Sequence, residues 1–175
     1  MSQSYRLENI GLINRDKKIS FKFNGVTYYG YEGDTLASAL IANGVHLVGR
    51  SFKYHRPRGF LGVGVEEPNA MVQLHEGDKS EPNIMATEVE IIEGLKAKSQ
   101  NCWPSVKFDI GEINNVLNRF FPAGFYYKTF MWPKAFWEKI YEPAIRNSAG
   151  LGTLSKEPDP DTYDKGFRYC DILII

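Results

Sequence analysis

A tight turn between two apolar-alternating segments constrains the fold of this chain more than any other feature. Asn24 and Gly25 form an Asn-Gly pair, which suits the two positive-φ positions of a type I′ turn. Every second residue before the turn is apolar, as in a half-buried strand: Ile19, Phe21 and Phe23. The sequence therefore predicts an antiparallel hairpin whose second strand runs over residues 26–31.

A short helix is predicted directly after the hairpin. Asp34 is a favourable N-cap, because its carboxylate can accept the unpaired N–H groups of a first helical turn. Apolar residues then follow at helical spacing, and Gly44 closes the helix as a C-cap. Two further strands are predicted over residues 70–77 and 86–94. This order of elements predicts an α+β fold, with a small β-grasp or ferredoxin-like module over residues 15–98.

The final residues, 168–175, indicate a second architecture. Asp171 is followed by four apolar residues, which is typical of a strand buried on both faces in a parallel sheet. Such a strand needs neighbours with which to pair. Residues 168–175 are therefore predicted to be the first strand of a truncated dinucleotide-binding domain. Residues 150–167 are rich in Gly, Pro and Asp and are predicted to be the linker before it.

An aromatic-rich helical connecting arm is predicted over residues 99–149. Ten aromatic residues occupy 22 consecutive positions: Phe120, Phe121, Phe125, Tyr126, Tyr127, Phe130, Trp132, Phe136, Trp137 and Tyr141. A segment this short cannot bury so many rings by itself. The rings are expected to pack against the rest of the polypeptide. Contact with another subunit and a cage for a methylated amine are the alternatives.

The most basic segment of the chain is residues 49–70. Four cations precede its first acidic residue, Glu66: Arg50, Lys53, Arg56 and Arg58. One interpretation is that they contact an anion or a phosphate, such as that of a cofactor held by another domain or subunit. The other is a solvated loop whose arginines pair with local carboxylates.

Charge, cysteine usage and motif content argue against several classes of function. The formal net charge is 0, which gives no electrostatic reason to expect binding to nucleic acid or an anionic membrane. Cys102 and Cys170 lie in no CxxC or Cys/His cluster, so no metal site is predicted. No nucleophile motif is present, and no catalytic residue is assigned. A polar N-terminus and the lack of about 20 consecutive apolar residues predict a cytoplasmic protein.

Several long segments resemble a known family. They include YEGDTLASALIANGVHLVGRSFKYHRPRG, EEPNAMVQL, FPAGFYYKTFMWP, WEKIYEPAIR and AGLG. From about residue 17 to residue 175, the sequence resembles the N-terminal part of the alpha subunit of heterotetrameric sarcosine oxidase and, close to it, the large subunits of N-methylglutamate dehydrogenase. The resemblance implies that residues 168–175 open a Rossmann domain and that this chain is an N-terminal fragment.

The resemblance also bears on the loop after the sequence RPRG. In related modules that carry a [2Fe-2S] cluster, this loop supplies closely spaced cysteines, since thiolates are the ligands of such clusters. The corresponding residues 60–70 contain no cysteine. The resemblance therefore implies a ferredoxin-like module without a cluster.

For the complete complex, the resemblance implies oxidative demethylation of sarcosine to glycine, with tetrahydrofolate as one-carbon acceptor and with FAD, FMN and NAD as cofactors. The implied partners are the rest of the alpha chain, with its Rossmann and folate-binding domains, and the beta, gamma and delta subunits. This chain alone is expected to bind no cofactor and to be inactive. Two alternatives stay open: the same region of a related amine oxidoreductase such as N-methylglutamate dehydrogenase, and a stand-alone β-grasp binding or electron-transfer module.

Overall fold

The computed structural model describes most of the chain: residues 3–120, 132–149, 152, 154–167, 169–172 and 174. Its strands are β1 Asn14–Phe23, β2 Val26–Glu32, β3 Gly49–Arg50, β4 Pro57–Arg58, β5 Met71–Leu74, β6 Glu81–Met85 and β7 Leu95–Ser99. Its α-helices are α1 Leu36–Ala42, α2 Ile113–Val116 and α3 Glu142–Ala149. Five strands form a mixed sheet in the order β2-β1-β7-β5-β6, and β3 and β4 form a separate two-stranded ribbon.

The predicted hairpin is confirmed. Asn24 and Gly25 have φ angles of 51° and 79°, as a type I′ turn requires, and Phe23 pairs with Val26 across the turn. Only β1 and β7 run parallel, whereas the other strand pairs in the sheet are antiparallel. The result is a mixed sheet whose central strand, β7, is parallel to β1 on one side and antiparallel to β5 on the other.

Helix α1 packs on one face of this sheet and forms the core with it. The largest fully buried apolar side chains come from both elements and from the connections beside them: Phe21, Phe23, Leu36, Leu40, Val48, Val72 and Ile91. Because the apolar residues of β1 alternate with polar ones, one face of the strand enters the core and the other stays outside.

The prediction that Asp34 caps α1 was wrong. Thr35 is the N-cap, and its side-chain oxygen accepts the N–H of Ser38 at 3.1 Å. Asp34 is buried one residue earlier and accepts two hydrogen bonds from the guanidinium of Arg6, at 3.0 and 2.7 Å. The carboxylate thus fastens the N-terminal segment to the helix start, an interaction 28 residues apart in sequence.

The strand predicted over residues 70–77 is confirmed by β5, whereas the one predicted over 86–94 was wrong. Strands β6 and β7 lie on either side of that segment, which itself forms turns and an extended stretch beneath α1. Its carbonyl groups accept the first N–H groups of the helix: Leu36 N–H donates to Val89 and Ala37 N–H to Ala86, at 2.7 and 2.9 Å. The backbone of this segment therefore caps α1 while the Ala86 and Ile91 side chains are fully buried in the core. Alternation alone does not distinguish this arrangement from a strand.

Short helical turns occupy the described parts of the predicted arm. Residues 110–120 contain two 3₁₀ turns around α2, and Lys134–Phe136 and Trp137–Tyr141 lead through a 3₁₀ and a π turn into α3. Five of the ten predicted aromatic residues lie outside the described residues: Phe121, Phe125, Tyr126, Tyr127 and Phe130. Of the others, Phe120 and Trp132 are largely exposed, and Phe136 meets Tyr141 edge-on with ring centroids 6.3 Å apart.

The predicted linker and terminal strand contain no regular element where the structure describes them. The described residues of 150–167 lie outside helices and strands, and so do residues 169–172 and 174. Ile172 and Ile174 are exposed, and no described strand lies beside them to form the pairs that a parallel sheet provides. The assignment of residues 168–175 to a dinucleotide-binding domain stays a prediction. Within the described ranges, no helix is long and apolar enough to cross a membrane.

Gly30 in β2 is expected to tolerate a side chain poorly. A Cβ at this position would overlap Ile91 Cδ1, which is fully buried, and would lie 3.1 Å from the Ala39 Cβ. We expect Gly30→Ala to lower the free energy of unfolding by about 1–3 kcal/mol because of overpacking. Chemical denaturation of the 175-residue chain measures this change.

Gly166→Ala is the matched control, because no atom of the described residues lies within 4 Å of a Cβ at that position. Both variants share the effect of Gly→Ala on the unfolded chain, so the difference between them reports the packing of β2 against residues 86–94. Equal stabilities of the two variants would contradict the packing described above.

Candidate functional site

The candidate site is the loop of residues 60–70, termed here the glutamate loop, which leads from the ribbon β3/β4 into β5. Several contacts attach it to its surroundings, and one of them is the hydrogen bond from Ala86 N–H to the Ala70 carbonyl at 2.9 Å. The Thr87 hydroxyl donates to the Gly64 carbonyl at 2.8 Å, and the Arg58 guanidinium donates to the Asn69 side chain. Ala70, at the end of the loop, is fully buried next to β5.

Glu67 is the organising side chain of the glutamate loop. It is 2% exposed, and each of its carboxylate oxygens accepts two backbone N–H groups. Oε2 accepts from Leu61 at 2.7 Å and Gly62 at 2.6 Å. Oε1 accepts from Asn69 at 2.7 Å and Ala70 at 3.1 Å. One buried carboxylate therefore joins the beginning of the loop to its end.

The neighbouring Glu66 extends the same pattern at the surface. Its Oε1 accepts the N–H groups of Val63 at 2.8 Å and of Gly64 at 3.1 Å. Unlike Glu67, the Glu66 side chain is exposed. The two glutamates together accept six backbone N–H groups, so they hold the loop's backbone in one shape.

The backbone N–H groups also set the charge state of Glu67. Burial by itself would raise the pKa of the carboxyl group, but the N–H groups of Gly62, Asn69, Leu61 and Ala70 oppose burial, and the pKa is lowered below its usual value. Within the described ranges, no cation forms a salt bridge with Glu67. Aligned peptide dipoles, rather than an ion pair, therefore stabilise the negative charge.

Arg50, one of the predicted anion contacts, instead binds other groups within the protein. Its buried guanidinium donates from Nε to the Val106 carbonyl at 2.8 Å and from Nη1 to the His55 carbonyl at 3.1 Å. It also forms an ion pair with Glu112 at 3.2 Å. These contacts fasten the ribbon β3/β4 to the segment that follows β7.

The other predicted contacts lie nearer to solvent, and the structure brings only two of them together. Lys53 Nζ and the Arg56 guanidinium both lie 4.9 Å from the centre of the Tyr54 ring. Arg58 points instead to Asn69 in the glutamate loop. The role of these residues in anion binding stays a prediction.

Asp109 is a second buried carboxylate that organises this region. Its Oδ2 lies 2.6 Å from His55 Nδ1, and its Oδ1 accepts the N–H groups of Trp103 and Gly111 at 3.0 and 3.1 Å. The bond from Gly111 could have been predicted, since Asp before a helical turn is a common cap. The contact with His55, 54 residues away, could not.

Comparison with known proteins first defines the class of this fold. Residues 16–102 match the family model of the 2Fe-2S iron-sulfur cluster binding domain. The match covers all five strands of the mixed sheet except the first residues of β1. The sheet and α1 therefore form a 2Fe-2S ferredoxin-like domain.

Two curated relatives narrow this class. The chain is 59% identical over 172 residues to sarcosine oxidase subunit alpha of Rhizobium meliloti (strain 1021), covering 98% of this chain and 17% of that protein. It is 41% identical over 88 residues to the same subunit of Corynebacterium sp. (strain U-96), covering 49% of this chain and 9% of the relative.

These matches confirm the resemblance: along nearly its whole length, the chain is related to sarcosine oxidase alpha subunits. It spans only about a sixth of the Rhizobium meliloti relative, of which it covers 17%. A crystal structure of L-proline dehydrogenase from P. horikoshii aligns with 50% of this chain and 16% of its own chain, at 26% identity and a TM-score of 0.38.

The residues of the glutamate loop do not fit the iron–sulfur cluster that the matched family model implies. Such a cluster needs thiolate ligands, and the loop has none, while its inward N–H groups already bind Glu67. Cys102 lies elsewhere, and burial and then the nearby Asp109 raise the pKa of its thiol, against the opposite effect of Arg50. In the part of the chain that the structure describes, no group of three or more His, Cys, Asp or Glu residues could hold a metal ion.

Replacing Asp109 tests whether a buried carboxylate contributes more to the stability of the fold than an exposed one does. We expect Asp109→Ala to lower the free energy of unfolding by about 2–4 kcal/mol, because His55 and two backbone N–H groups lose their acceptor. Asp161→Ala is the control, since the solvent-exposed pair of Asp161 with Lys79, at 2.9 Å, should contribute far less to the free energy of unfolding. Urea denaturation measures both, and equal losses would contradict the role given to Asp109.

Glu67 should also make stability depend on pH. Because its folded pKa lies below the unfolded value of about 4.3, its contribution is present above that pH and is lost as the pH falls through the folded pKa. Glu67→Gln presents an NH₂ group to two of the donors and removes the charge. We therefore expect the stability difference between wild type and Glu67→Gln to be large at pH 7 and to shrink towards pH 3.

Glu66→Gln is the matched control for this pH series. Glu66 is exposed and accepts two N–H groups instead of four, so its difference from wild type should be smaller at pH 7. Denaturation curves at several pH values measure both differences. If the stability difference between wild type and Glu67→Gln did not change with pH, the charge of the carboxylate would not be what stabilises the loop.

Proposed function

We propose that this chain is a structural and subunit-contact region of a sarcosine oxidase-type, flavin-dependent oxidoreductase complex. The complex would oxidatively demethylate sarcosine to glycine and pass the one-carbon unit to tetrahydrofolate. The observation that carries this proposal is the 59% identity to a sarcosine oxidase alpha subunit across 98% of the chain. The glutamate loop supports a structural role over a redox role, because its residues do not fit an iron–sulfur cluster.

The glutamate loop also offers a surface for contact. Leu61, Val63 and Val65 are 78%, 91% and 74% exposed, and they are termed here the aliphatic tip. Because Glu66 and Glu67 bind the N–H groups of residues 61–64, the tip is held on an ordered backbone. Little conformational entropy would be lost when such a surface binds a partner, which favours a contact role.

In this proposal, the reactive groups lie outside residues 1–175. FAD, FMN, NAD and tetrahydrofolate would bind to the rest of the alpha chain and to the beta, gamma and delta subunits, and this chain would carry no catalytic residue and no cluster. The cytoplasm remains the expected compartment. Lys53 and Arg56, which share the Tyr54 ring, are the better-placed cations for a partner carboxylate or a cofactor phosphate.

Two other functions are less well supported. The same region of N-methylglutamate dehydrogenase would use the same architecture, but the curated relatives reported above are sarcosine oxidase alpha subunits. A stand-alone electron carrier would need cluster ligands, which the glutamate loop lacks.

The aliphatic tip provides the test of this proposal. We expect the triple substitution L61S/V63S/V65S, placed in a complete alpha subunit, to weaken its assembly with the other subunits by about tenfold or more, equivalent to about 1.4 kcal/mol. Removal of apolar contact area is the physical reason. Co-purification from cells that co-express all subunits measures assembly.

Leu12→Ser is the control, since Leu12 is fully exposed but belongs to the N-terminal segment. It should leave assembly unchanged. Normal assembly of the triple variant, with the module still folded, would remove the aliphatic tip from the contact surface.

A further inference from the structure

We propose that the glutamate loop is an anion-binding nest whose anion is the chain's own Glu67 carboxylate. Removal of that side chain would leave a site for a small monocarboxylate such as formate. In the wild-type protein the same N–H groups are already occupied, so the loop would bind neither an external anion nor an iron–sulfur cluster.

The arrangement of donors carries this inference. Two separate stretches of backbone, residues 61–62 and 69–70, point four N–H groups at one carboxylate, at distances from 2.6 to 3.1 Å. Concave sets of backbone N–H groups of this kind bind phosphates and iron–sulfur clusters in other proteins. Here the anion that the N–H groups bind is the carboxylate of a side chain in the loop itself.

The geometry of the donors indicates which anions fit. Leu61 and Gly62 converge on one oxygen, and Asn69 and Ala70 converge on the other. Two acceptor positions in one plane suit a carboxylate. Because no described cation forms a salt bridge there, the nest should favour a single negative charge over a dianion such as phosphate.

The nest also needs an anion. The Glu67 side chain is almost fully buried, the hydrogen bond from Ala70 is buried, and those from Leu61, Gly62 and Asn69 are partly buried. A buried N–H group without an acceptor is costly. A cluster would have to displace Glu67 from these groups and would then find no thiolate, so Glu67 and a cluster exclude one another.

Formate added to a Glu67→Ala variant tests the proposal. At constant ionic strength, with chloride as the balancing anion, formate should raise the midpoint of thermal unfolding of this variant in proportion to the logarithm of its concentration. The wild-type chain and Glu66→Ala should show no such rise. The backbone amide signals of Leu61, Gly62, Asn69 and Ala70 should shift on titration with formate.

Several outcomes would overturn the proposal. They are an equal response of Glu66→Ala, no response of a folded Glu67→Ala, and a Glu67→Ala chain that stays unfolded at every formate concentration. Glu67→Gln is a second variant, in which the amide occupies the nest although its NH₂ group faces two of the donors. It should be less stable than the wild type but insensitive to formate, and a rise equal to that of Glu67→Ala would count against the proposal. Incubation of the wild-type chain with iron and sulfide should leave it colourless, whereas a stable visible chromophore would contradict the occupied nest.

Discussion

Buried carboxylates hold the parts of this molecule that lie outside its sheet. Asp34 binds the N-terminal segment through Arg6, Glu67 closes the glutamate loop, and Asp109 joins His55 to the segment after β7. A buried carboxylate is stable only where donors surround it, so each of these groups requires its segment to keep one shape. The hydrophobic core stabilises the sheet and α1, and the buried carboxylates stabilise the N-terminal segment, the glutamate loop and the segment after β7.

This division has a consequence for function. An iron–sulfur module depends on a loop that presents thiolates, whereas this loop directs its N–H groups inward to Glu67 and its aliphatic side chains outward. The ferredoxin-like framework is therefore retained without fitting residues for a cluster. In the proposed contact role, the apolar tip of this loop would pack against a neighbouring part of the complex, and the chain spans about a sixth of the length of the Rhizobium meliloti alpha subunit.

Sequence patterns were most informative where the interaction is local. The hairpin was predicted because Asn24 and Gly25 tolerate positive φ, and β5 because its apolar run stands between turn residues. The segment 86–94 was misassigned because its carbonyl groups accept N–H groups from the start of α1 instead of pairing with a strand, while Ala86 and Ile91 are buried as strand residues would be. Glu67 was not singled out, since a glutamate in a polar loop is usually solvated; the pair of adjacent glutamates among glycines was the only available signal.

By itself, the sequence determined the hairpin, α1, the ferredoxin-like class and the absence of thiolates from the loop, because these depend on neighbouring residues or on composition. Only the tertiary structure decided which charged groups are buried and with whom they pair. Arg50 and Asp109 each have a partner more than 50 residues away, Val106 and His55 respectively, and Glu67 finds its partners in the backbone of both ends of one loop. Such pairings follow from the three-dimensional path of the chain, which brings distant donors and acceptors within hydrogen-bonding distance. Burial also excludes the water that would otherwise bind to these groups.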